Sequence, residues 1–212
     1  MRHLALILLA PMLLSAASLD QQRADLRALQ QLDVRVATLA HRLAVANAAR
    51  CPDKVAVSGL LLHALGQYAP DQREAAKAEF QALNRVTALA IVPGSAAAKA
   101  GLQEGDELSW INRVAVAIPP LSPQASYDNV GKAEEDMRAA LDKGPVDLMF
   151  VRTGFERSAI VEPELLCPAA TQVVPGRKLS ASADGRRVSV TTALALATRD
   201  DAELAFILAH EM

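Results

Sequence analysis

The chain has 212 residues, room for one large domain or two small ones, and at 51% hydrophobic and 22% charged it has the composition of a globular protein able to bury a core. Its 22 basic and 24 acidic residues leave a net charge of -2 with no Lys/Arg run, which sets aside nucleic-acid partners and anionic membrane surfaces. Aromatic residues are only 3%, so a core must be built from Ala, Leu and Val, a mixture suited to close-packed helices and one compact sheet.

At the start of the chain, Arg2 and His3 precede the apolar run Leu4 to Leu14, and Ser15-Ala16-Ala17 offers the small residues of a signal-peptidase site. Residues 1–17 therefore read as an export signal, with a mature chain starting near Ser18 and a periplasmic or secreted location. A membrane anchor is the weaker alternative, because the run is too short for ~30 Å of hydrocarbon and Pro11 interrupts it. No later stretch is apolar enough for a stable transmembrane segment. Export gives Cys51 and Cys167 significance, since an oxidising compartment lets them form one disulfide. Closing so long a loop would stabilise the fold by roughly 4 to 5 kcal/mol in the chain-entropy view. Two separate buried thiols are the other reading.

From Asp20 to Ala49 there is neither Gly nor Pro, and Leu29, Leu32, Val36, Leu39 and Leu43 recur at steps of three and four, which predicts one face of a long helix. Cys51-Pro52 ends it. Val57 to Tyr68 is a second apolar element, for which a helix is open despite Gly59 and Gly66. His41 and His63 have no partner at metal-ligand spacing and read as structural or surface histidines. Asp71 to Phe80 reads as a short helix with Arg73, Glu74, Lys77 and Glu79 on a solvated face.

The punctuation then tightens. Thr87 to Val92 reads as a strand, Pro93-Gly94-Ser95 as a turn, Ala96 to Ala100 as a short helix, and Gly101 to Asp106 as a tight loop feeding a strand over Glu107 to Ile111. After a Pro-rich loop, Tyr127 to Leu141 is helical, with Val130, Met137, Ala140 and Leu141 facing inward. Val146 to Arg152, the turn Thr153-Gly154 and Arg157 to Val161 make a hairpin.

The stretch from Val92-Pro93-Gly94-Ser95 through Ala100-Gly101-Leu102-Gln103-Glu104-Gly105-Asp106 to Ile111-Asn112 resembles the signature of bacterial PDZ domains, with Ala96 in place of the usual proline and Arg113 where a glycine normally completes the Asn-Gly turn. The resemblance covers about residues 81–163. It implies a small β-barrel or sandwich with two helices, and extended peptides, commonly C-terminal tails, as partners. By position it places the groove between Val86 to Ile91 and the helix Tyr127 to Leu141, with Leu83, Asn84, Arg85 and Val86 forming the carboxylate loop. A groove that only spaces or shields a neighbouring domain is the alternative.

At the far end, Asp200 with Glu203 three residues later makes a helix start, and Leu204, Ile207 and Leu208 define an inner face on which Glu211 also falls, with His210 at its edge. The segment Glu203 to Met212 resembles the active-site helix of gluzincin metallopeptidases, the family of the CAAX prenyl, HtpX-like and BepA-like peptidases. The run Leu179 to Thr198, with the strand Val188-Ser189-Val190, is similar to the stretch that leads into that helix. The resemblance implies a zinc cofactor, with His210 as first metal ligand and Glu211 as catalytic general base. The site is incomplete in this chain, which is expected to be inactive as it stands. An ordinary terminal helix with solvated His210 and Glu211 is the alternative.

The fold class expected is α+β: a PDZ-like domain over residues 81–163, set between an N-terminal helical segment (18–80) and the start of a zinc peptidase domain (164–212), the latter two being parts of one incomplete gluzincin domain. The corresponding function is an exported zinc endopeptidase of envelope polypeptides whose PDZ module presents or gates substrate. A non-catalytic PDZ adaptor of the cell envelope is the rival.

Overall fold

A computed structural model describes residues 4–81, 84–185 and 187–212, with side chains from Leu19 onward. The side chains of the export-signal stretch, residues 1–17, lie outside the described residues. Helix α1 (Leu4–Asn47) buries the predicted stripe against one core and packs Leu26 and Leu19, which lie ahead of that stripe, on a second. Leu26, with half-buried Leu19, packs on Leu65, Tyr68, Ala75, Ala76, Phe80 and Leu89. Farther along, Val36 and Leu39 pack on Val173, Val188, Val190, Ala195, Leu204 and Leu208. One helix thus backs two cores. No helix among the described residues is long and apolar enough to cross a membrane.

After α1 come β1 (Val55–Val57), β2 (Leu60–His63), a 3-10 turn at Leu65–Gln67 and α2 (Arg73–Phe80). The helix open to Val57–Tyr68 is not formed. Gly59 has a positive φ of 74°, which breaks any helix there, and the residues after it alternate with the period of a strand. Leu60 and Leu62 face the central core, while Leu61 and His63 face the cluster under α1.

The central unit continues with β3 (Thr87–Ile91), α3 (Ala96–Lys99), β4 (Glu107–Ile111), β5 (Val114–Ala115), α4 (Asp128–Leu141), β6 (Val146–Arg152) and β7 (Phe155–Val161). Its sheet runs in the order β2-β3-β4-β6-β7, with β5 paired to β4. The sheet takes in Leu60–His63, so the unit begins well before residue 81, where the sequence reading placed its start. Its core includes Leu108, Ile111, Val130, Met137, Leu141, Val146, Leu148 and Val161. The helix–strand–hairpin order matches what the PDZ resemblance implies. Arg113, standing where a glycine is usual, is held at a φ of 67° in the two-residue turn between β4 and β5.

Strand β8 (Glu164–Leu166) returns to pair antiparallel with β1, Val55 opposite Leu166. Carried on, that register sets Cys167 opposite Lys54, three residues from Cys51, so the two half-buried cysteines flank the same end of the ladder. A separate sheet follows, in the order β10 (Ala181–Ala183), β11 (Val188–Thr191), β9 (Thr171–Val174). Its last strand feeds α5 (Thr192–Ala197), capped by Thr191, and then α6 (Asp201–Glu211).

Two side chains one helical turn apart on α1 tie these sheets together. The register of β2 on β3 slips between Leu61 and Leu62, leaving Leu89 without a strand partner, and the buried Gln30 side chain donates to its carbonyl at 2.6 Å. Asp33 accepts from the Val173 amide of β9 at 2.8 Å. Burial pushes the Asp33 carboxyl up to about 6, against that hydrogen bond. His63 is 1% exposed, hydrogen-bonded to the Tyr68 hydroxyl at 2.8 Å and edge-on to Phe80; burial lowers it to about 4, so it is neutral in the fold.

These shifts act in opposite directions. For His63 the unfolded chain binds the extra proton, so its contribution is complete above pH ~6.5 and is lost as pH falls towards 4. For Asp33 the folded chain holds the proton more tightly, so its contribution is complete below pH ~3.8 and is lost as pH rises through 6. Replacing Asp33 by Asn, which keeps the acceptor for Val173, removes only the second trend. Relative to wild type, urea denaturation should find Asp33→Asn gaining about 2 to 3 kcal/mol between pH 4 and 7; a pH-independent difference would refute the assignment.

Candidate peptide-binding site

The expected groove strand, β3, has neighbours on both edges: β2 on one side and β4 on the other. It is an inner strand of the sheet, paired to β2 along its length and to β4 at Thr87. The expected carboxylate-loop residues are also committed to the fold. Leu83 lies outside the described residues. The side-chain amide of Asn84 donates to the Pro119 carbonyl, Arg85 pairs with Glu107 at 3.5 Å, and Val86 is fully buried with its carbonyl bonded to the Leu108 amide at 2.8 Å.

The edge strand beside the second long helix is β2. Helix α4 lies along it: Ser126, just before α4, donates to the Gly66 carbonyl at 2.9 Å, and Asp142, at its other end, accepts from the Ala56 amide at 3.4 Å. The inner face of α4, Val130, Ala133, Met137 and Leu141, shares one core with Leu60 and Leu62 of β2. An apolar slot thus runs between an unpaired strand edge and a helix.

At the head of β2 sits the turn Ser58-Gly59. Its carbonyls are spoken for: Ala97 donates to Ser58 at 2.8 Å and Val92 to Gly59 at 2.9 Å. The Leu60 amide turns back to the Ser58 hydroxyl at 3.2 Å. The amides of Ser58 and Gly59, both half-buried, take no partner among the described residues. Only glycine fits here, because a Cβ at position 59 would stand 2.2 Å from Ser95 Cβ. Ser95 is itself buried as the cap of α3, accepting from Ala98 at 3.3 Å.

The Gly-Asp loop that carried the PDZ resemblance is structural. Asp106, 1% exposed, accepts from Gln103 and takes a two-pronged contact from Arg152 at 2.6 and 2.7 Å, which pins the β6–β7 hairpin to the loop. His41 bonds to Glu164 at 2.9 Å, and Lys99 reaches the same carboxylate at 3.0 Å. With His63 held by Tyr68, both histidines are structural.

At the other end of the chain, α6 forms as predicted, with Asp200 accepting from Glu203 at 2.9 Å and Leu204 and Leu208 wholly buried. His210 is exposed and Glu211 half-buried. Among the described residues no group of three or more His, Cys, Asp or Glu side chains is placed to hold a metal ion. One imidazole and one carboxylate do not make a closed zinc site, which needs three protein ligands. The residues described do not fit the cofactor.

No protein family matches the chain, and no curated protein matches it in sequence. Among solved structures it is similar to the HtrA3 PDZ domain bound to a phage-derived ligand (FGRWV), at 16% identity over 53% of this chain and 89% of that one, with a TM-score of 0.39. It is also similar to the HtrA-type protease AlgW with a decapeptide, at 15% identity over 53% of this chain and 29% of that one, with a TM-score of 0.33.

Proposed function

We propose that the central unit is a peptide-recognition module of PDZ type that takes an extended segment along β2, beside α4, with the terminal carboxylate at the Ser58-Gly59 turn. The observation that carries this is the edge of β2, which pairs with no strand and is headed by two amides without partners among the described residues. Backbone pairing along the edge supplies affinity, and apolar side chains between Leu60, Leu62 and the α4 stripe supply selectivity. Titration of the intact chain with a pool of free-carboxylate heptapeptides should give saturable binding that an amidated pool weakens about tenfold or more. Equal binding of the two pools would remove the carboxylate from the reading.

A second reading, an exported peptidase, is favoured by the capped α6 with Glu211 half-buried on its inner side, as the gluzincin resemblance implies. Since His210 and Glu211 alone do not fit zinc, no hydrolytic step is assigned to them. This chain should leave casein intact in the presence of zinc; cleavage lost in Glu211→Gln would restore the peptidase assignment.

Export would also place Cys51 and Cys167 where thiols oxidise, and their shared position at the end of the β1–β8 ladder favours pairing. Intact-mass measurement of oxidised chain should show the loss of two hydrogens relative to the reduced form. Two titratable thiols surviving oxidation would count against it.

A further inference from the structure

The slot is closed by its own walls. Val130, Ala133, Met137 and Leu141 are at most 3% exposed, and Leu60 and Leu62 at most 8%. A strand added to β2 sits ~4.8 Å from it and brings side chains of its own, so α4 must move outward to admit one. The flank of α4 beside its apolar stripe, where Glu134 and Tyr127 lie, is held by a residue from outside the central sheet. Arg187, just ahead of β11, donates to Glu134 at 2.7 Å and to the Tyr127 hydroxyl at 3.4 Å, and its guanidinium lies 5.4 Å from the Tyr127 ring centre. Tyr127 in turn donates to Glu134 at 2.6 Å. On its own side Arg187 is fixed by Gln172 of β9 at 3.0 Å. A planar, stacked and multiply bonded guanidinium is a firmer tie than an ordinary surface ion pair.

The same end of the slot shows that the closed packing is imperfect. Among the described residues, Gln67, next to the Gly66 carbonyl that receives Ser126, keeps its side-chain oxygen buried without a partner, and Asn129 in the first turn of α4 does so with its side-chain nitrogen. Buried polar atoms left unpaired favour any arrangement that wets or bonds them. Outward movement of α4 does this, and the Arg187 cluster opposes it.

We propose that Arg187 is a latch on peptide entry: it holds α4 against the β9–β11 sheet, so occupancy of the slot and seating of α4 on that sheet exclude one another. The inference rests on the peptide-binding reading of the slot. It makes the C-terminal strands a sensor of ligand on the central unit, since a peptide that parts α4 from β2 also frees Arg187 and loosens Gln172.

The test uses the intact chain, the free-carboxylate heptapeptide pool, and amide hydrogen exchange without peptide. In Arg187→Ala and in Glu134→Gln, α4 amides should exchange roughly tenfold faster and the pool should bind roughly tenfold tighter than to wild type; Arg187→Lys, which keeps the charge and loses the fork, should fall between. Glu134→Gln alters only the α4 side and serves if Arg187→Ala does not fold. Wild-type binding with unchanged exchange and affinity in the variants would overturn the latch alone. Faster exchange with no binding by any form would overturn the slot reading and the latch as a control of entry.

Discussion

The structure depends on α1 serving two sheets at once. Gln30 and Asp33 sit one turn apart on it, and each satisfies a backbone group of a different sheet: the carbonyl left over by the slip at Leu89, and the amide of Val173. Leaving such a buried group unmade costs about 1 to 3 kcal/mol. A helical turn is rigid, so these two bonds fix the distance between β3 and β9 better than apolar contact can. Around them, Leu26 anchors the α2 side and Val36 and Leu39 the α6 side. The ion pairs of Arg23 and Arg27 with Glu79, at 3.1 and 2.7 Å, and of Arg35 with Asp201, at 2.8 Å, add orientation more than strength.

From that arrangement the slot follows. With α1 covering one face of β2–β3, the second face of those strands is left for α4, which packs closed against β2. The β9–β11 sheet, placed by α1, stands close enough to α4 for Arg187 to cross. The β2 edge and the C-terminal strands therefore both have α4 as a neighbour.

Much of this was legible in the residues. The stripe of α1, the Ser95-capped turn into α3, the Gly-Asp loop, the hairpin through Thr153-Gly154 and the Asp200 cap all have local causes, and the structure has each of them. The edge strand was not legible. Leu60-Leu61-Leu62 carries no polar alternation because both its faces are covered, one by the central core and one by the cluster under α1, and a short apolar run of that kind does not distinguish strand from helix. Its pairing partner β3 lies beyond α2, so nothing local announced the pair. Gly59 was the available clue: a glycine directly ahead of an apolar run marks a turn into a strand more readily than a helix interior. The Arg187 cluster had no sequence signal, for its members come from α4 and its cap, from β9 and from the residue ahead of β11, and meet only through the fold.

The β1–β8 ladder has a further implication for how such a chain can change over time. Because Val57 and Glu164 lie opposite each other, everything between them leaves and rejoins the remainder of the molecule through two adjacent strands, about 5 Å apart. A segment attached in this way can be lengthened, trimmed or exchanged for another whose termini also lie side by side, while the Val36–Leu208 cluster keeps its own packing. The patch facing Leu26 and Gln30 would have to be matched, together with the contacts of Glu134 to Arg187 and of Lys99 to Glu164, so these places select any replacement module.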